Sequence, residues 1–185
     1  MARPWILIIA LLVCLAVPVA AQEESEEEPD YARSGPYVGG TFNIGLVSSK
    51  AFPGTSPISW EPYPGIDARL GWRESERFAL EIEFEWLAST DGIAYGSWAI
   101  GVNGKFYFAE ERIQPYMVLG ANGMWAKVPG AADSDVDWAF RNGIGLDYYL
   151  TENWAINGET SFVWGVGEIW KYYYLTFGVG AIYRF

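Results

Sequence analysis

Glu81, Glu83 and Glu85 are the densest set of side chains in this chain whose type and spacing suit chemistry. Residues two apart on an extended strand share a face, so the three carboxylates line up. Such a row can hold a cation, pass protons or pair with arginines. Arg69, Arg73, Lys105, Arg141 and Arg184 fall on the polar faces of other segments, together with Asp67, Asp147 and Glu159. One functional reading is a cation site, a proton path or a gated polar lumen. The other is an ion-pair network that fills an interior. Buried charges need partners, and the acids and bases on these faces nearly balance, which favours the network. With a tight turn over residues 73 to 77, antiparallel pairing sets Arg69 across from Glu81.

Other chemistry finds little support. The chain has no His, and a Ser or water nucleophile needs a base tuned near neutral pH, most often His. Asp133, Asp135 and Asp137 alternate, but the remaining ligands of a calcium loop are missing. No phosphate loop or metal-ligand spacing occurs. The chain is therefore read as non-enzymatic, with no catalytic residue, metal site or cofactor.

The elements that must position the charges are strands. From Gly35 onward, eight segments alternate with period two and end in turn residues: 35 to 47, 62 to 73, 77 to 88, 94 to 108, 113 to 126, 136 to 150, 154 to 165 and 170 to 185. In the third, Phe78, Leu80, Ile82, Phe84 and Trp86 oppose Ala79, Glu81, Glu83 and Glu85. In the sixth, Trp138, Phe140, Ile144, Leu146 and Tyr148 oppose Arg141, Gly143, Gly145 and Asp147. The other segments divide the same way, and no apolar face carries Asp, Glu, Lys or Arg.

An uncharged outer face is what lipid demands, since Arg or Lys at the bilayer midplane costs about 2 to 4 kcal/mol. A soluble barrel would have to pack these aromatics inside eight strands, which enclose too little room. The pattern thus predicts an all-β, eight-stranded antiparallel transmembrane up-and-down barrel with its apolar face outward. Connections between strands two and three, four and five, and six and seven are short, whereas 48 to 61 and 127 to 135 are longer. Barrels of this kind keep short turns on the periplasmic side, so both termini are expected there. Trp72, Phe78, Phe106, Phe108, Tyr148, Trp154, Tyr183 and Phe185 sit at that rim, and Trp86, Trp98, Trp125, Trp138, Trp164 and Tyr173 at the other, as two aromatic girdles.

Residues 1 to 21 read as a cleavable signal peptide: Arg3, an apolar run from Trp5 to Val19, then Val19-Ala20-Ala21 before Gln22. The run is short for a spanning helix. Cys14 lies inside it behind Leu-Leu-Val, which does not suit lipoprotein processing. Removal of the segment takes away Arg3 and no acid, moving the formal net charge from -11 to -12. That balance excludes nucleic acid as a partner. Residues 22 to 34, with Glu23, Glu24, Glu26, Glu27, Glu28 and Asp30, form an acidic lead-in expected to be disordered, and 35 to 185 form the barrel.

The terminal "YLTFGVGAIYRF", with "GPYVGGTF" and "IQPYMVLGANG", resembles the small outer-membrane barrel family typified by the outer-membrane protein A barrel domain and its X-type relatives. The resemblance implies an outer-membrane location, lipid as a partner and delivery by the barrel-assembly machinery. It also implies that Phe177, Val179, Ala181, Tyr183 and Phe185 form the C-terminal assembly signal. It does not imply one activity. The functional expectation is a barrel with a polar, closed, ion-paired lumen that serves envelope integrity or surface interaction, the alternative being a small pore for ions or small solutes. The loops "SSKAFPGTSPISWEP" and "KVPGAADSDVD" name no surface partner.

Overall fold

Alternating bulky apolar and small or polar residues suit a sheet with one greasy face and one crowded face, and this sheet closes on itself. A computed structural model describes residues 30–48, 60–88, 96–126, 135–167 and 173–185. Its strands are β1 (Gly35–Ser48), β2 (Trp60–Ser75), β3 (Phe78–Ala88), β4 (Gly96–Tyr107), β5 (Ile113–Ala126), β6 (Asp135–Tyr149), β7 (Trp154–Gly165) and β8 (Tyr173–Arg184). Each pairs antiparallel with its sequence neighbours, and β8 returns to β1, from Tyr37↔Arg184 to Val47↔Tyr174. The result is the closed eight-stranded barrel that the alternation predicts. The expected signal peptide, the acidic run from Glu23 to Glu28 and most of the long connections lie outside the described residues.

The barrel is inside out relative to a soluble protein. Phe42 is 66% exposed on the outer wall while Lys105 is 0% exposed within. Among the described residues, no Asp, Glu, Lys or Arg points outward between the two aromatic rims. Glu74 has outward parity but lies past Trp72 at the end of β2. Outer aromatics pair along each rim: Trp98 stacks on Trp125 at 4.1 Å at one, and Trp154 meets Tyr183 at 4.9 Å at the other.

Two expectations need correction. Arg69 does not face Glu81. The β2–β3 turn falls at Glu76 and Arg77, with a bulge between Arg73 and Ser75, so the pairing slides by two residues. Arg69 therefore stands opposite Glu83, and Gly71 opposite Glu81. The acidic lead-in was expected to be disordered through residue 34, but its last residues dock under the short-turn mouth. Tyr31 packs its ring 5.6 Å from that of Tyr149, and its carbonyl accepts from Gln114 Nε2 at 2.9 Å and Arg184 Nη1 at 2.5 Å. Ala32 is buried.

Candidate functional site

The inward side chains form three layers along the axis. Nearest the long loops lies an apolar layer of Val47, Tyr63, Leu87, Ala99, Met124, Ala139, Val163 and Tyr174. Beneath it is a belt of charge. Nearest the short turns is an aromatic and aliphatic layer with Tyr37, Tyr107, Tyr116, Val118, Tyr149 and Ile182. Glycines make room where rings cross the wall: a Cβ on Gly71 would lie 2.1 Å from Tyr37 Cζ, and one on Gly145 would lie 2.2 Å from Tyr116 Cζ. In both cases the ring comes from the directly opposite residue of the next strand.

The belt gathers six of the expected site residues and Tyr174. Arg69 reaches Asp67 at 3.0 Å, Glu159 at 2.7 Å and Glu83 at 3.6 Å. Arg141 bridges Glu83 and Glu85 and lies 3.6 Å from Glu159. Neutral donors occupy further oxygens: Asn43 Nδ2 donates to Asp67, Asn103 Nδ2 to Glu83, Ser161 Oγ to Glu159 and the Tyr174 hydroxyl to Glu85. All of these charged residues are buried. Two guanidiniums thus serve four carboxylates, with hydroxyls and amides supplying the rest of the shell.

Glu81, Lys105 and Asp147 form a second group toward the short turns. Lys105 Nζ lies 2.9 Å from Glu81 and 4.2 Å from the Tyr116 ring centroid. The Tyr37 hydroxyl also donates to Glu81 at 2.9 Å. Asp147 accepts from the Tyr107 hydroxyl at 3.1 Å and from Asn157 Nδ2 at 2.6 Å. Arg73 and Arg184 lie lower still, against Gln114 and the Tyr31 carbonyl. The nine expected lumen residues all point inward but divide into these two groups. An acid or base for catalysis needs a proton-exchanging atom aimed at open space, whereas these carboxylates are engaged with one another's counterions and hydroxyls.

Sequence reasoning missed the apolar inner layer, having read the lumen as polar and ion-paired. The signal was parity: Leu87 shares a face with Glu85, Met124 with Asn122, and Tyr174 with Thr176. Phe177, Val179, Ala181, Tyr183 and Phe185 lie on the outward side of β8, with Phe177, Val179 and Phe185 exposed. Among the described residues, no group of His, Cys, Asp or Glu forms a metal cluster.

A closed antiparallel barrel with its charged side chains buried inside and an apolar, aromatic-rimmed wall defines an integral β-barrel membrane protein. The outer membrane protein beta-barrel domain family matches residues 7–185, and the chain belongs to that family. It is a bacterial outer-membrane barrel protein. No curated protein matches the chain. Solved structures with a similar fold include Neisserial surface protein A, at 14% identity and a TM-score of 0.66, covering 82% of this chain and 98% of that one. Another is Ail, the attachment invasion locus protein of Yersinia pestis, at 15% identity and a TM-score of 0.58, covering 83% and 100%. The outer membrane protein OprG of Pseudomonas aeruginosa gives 13% identity and a TM-score of 0.52, covering 83% and 97%. At these identities the likeness concerns the fold.

Proposed function

We propose that this barrel is non-enzymatic and closed to ions, and that it works as an envelope or surface-interaction element through its wall and loops. The observation that carries the reading is the layered interior: among the described residues, an ion-paired belt lies beneath a layer of buried apolar side chains on the long-loop side, and its carboxylates are engaged by guanidiniums, hydroxyls and amides. A conducting lumen needs water or mobile counterions beside its charges, and here each belt carboxylate lies against a guanidinium of the protein instead. The absence of His and the engagement of the inner carboxylates support the non-enzymatic part.

Both termini lie on the periplasmic side, a reading supported by the short turns at that end. Residues 1 to 21 act as the export signal and are removed. The outer wall is solvated by outer-membrane lipid, and the barrel-assembly machinery reads the outward stripe from Phe177 to Phe185. Planar-bilayer recording of the purified protein tests the central point. No unit conductance is expected, and sustained single-channel steps would overturn the closed-lumen reading in favour of a small pore.

A further inference from the structure

Among the described residues, the outer wall between the rims is hydrocarbon-like except on β6 and β7. Asn142 on β6 points outward, exposed, between Phe140 and Ile144 and about midway along the strand from Trp138 to Tyr148. Its cross-strand neighbours are Leu119 on β5 and Phe162 on β7. The other hydrogen-bonding side chain in the middle of this wall, Thr160, lies next to it and is satisfied within the barrel, its hydroxyl donating to the Thr176 carbonyl at 3.0 Å. Among the described residues, the Asn142 side chain has no such partner. Beside Thr160, Gly158 leaves a notch in the wall, where a Cβ would meet nothing within 4 Å.

A primary amide carries two donors and an acceptor, and acyl chains offer it nothing at this depth. We propose that the β6–β7 wall is the surface on which two copies of this chain meet side by side in the membrane, with the Asn142 amides of the two copies hydrogen-bonded to each other. An amide is self-complementary: across a twofold axis, each Nδ2 donates to the other's Oδ1. Two copies inserted in the same direction carry Asn142 at the same depth, so the axis along the membrane normal brings the pair together. The wall there has no charge to pair with a different partner. The Gly158 notch and the short Thr160 side chain let the two walls approach, as small residues do where membrane segments pack.

Sedimentation equilibrium of the purified barrel in density-matched micelles, over a range of protein-to-detergent ratios, tests this. The unaltered protein should show a monomer–dimer equilibrium. Asn142→Leu should weaken dimerisation by roughly fivefold or more, and Asn142→Gln should retain most of it. Ile82→Ala on β3, on another part of the wall, should leave it unchanged. Asn142→Leu should also raise the monomer's unfolding midpoint, and retained heat-modifiable gel mobility reports that each variant is folded. A protein that is monomeric at every ratio, or an Asn142→Leu barrel that dimerises undiminished, would overturn the proposal.

Discussion

The charged belt and the apolar layer above it fill the same cylinder by opposite physics. Around Leu87 and Met124 the interior is closed by packing, and its stability scales with the volume occupied. Around Arg69 and Arg141 it is closed by matched charge, and its stability depends on no single partner being lost. A packed layer weakens in proportion to what is removed, whereas a charged belt fails abruptly, because one deletion strands several ions. Tyr174 belongs to both, its ring in the apolar layer and its hydroxyl on Glu85.

That contrast can be broken in a graded way by following unfolding in urea through tryptophan fluorescence of the detergent-solubilised barrel. Arg141→Ala should have the largest effect, a loss of about 4 kcal/mol, because Glu83 and Glu85 lose their shared partner in a buried site. Leu87→Ala should cost about 3 kcal/mol, the range for truncating a buried leucine into a cavity that cannot fully collapse. Tyr174→Phe keeps the ring and removes the donor, so a loss of about 2 kcal/mol would isolate the bond to Glu85. Arg77→Ala breaks the exposed 3.0 Å pair with Glu110 and should cost no more than about 0.5 kcal/mol. High salt should abolish that last effect and leave the Arg141 effect in place, since only the exposed pair is screened. Equal losses for Arg141→Ala and Arg77→Ala would show that the belt does not behave as a buried network.

Much of the barrel was legible because period two is a strong signal where one face meets lipid. Phe78 to Trp86 and Glu81 to Glu85 could be sorted by eye, and the inward charges were identified as a set. Their pairing was not legible. Register depends on where the β2–β3 turn closes, and closure at Glu76 and Arg77, with the bulge between Arg73 and Ser75, puts Glu83 rather than Glu81 opposite Arg69. Leu87, Met124 and Val163 escaped for a different reason: an apolar side chain on the inward parity breaks the alternation of greasy and polar residues, so it was assigned to neither face although parity places it inside. Asn142 was passed over because a single amide does not disturb an otherwise apolar alternation.

The seam between β1 and β8 also governs how quickly the molecule can form. Each of the other seven pairings joins strands adjacent in sequence, whereas Tyr37↔Arg184 joins the two ends of the barrel chain. That contact has the greatest loop-closure entropy against it, so the hairpins form first and the seam zips last. Until it does, β1 and β8 both present unpaired edges able to recruit a foreign strand. The slowest step in maturation is therefore also the one most exposed to misassembly.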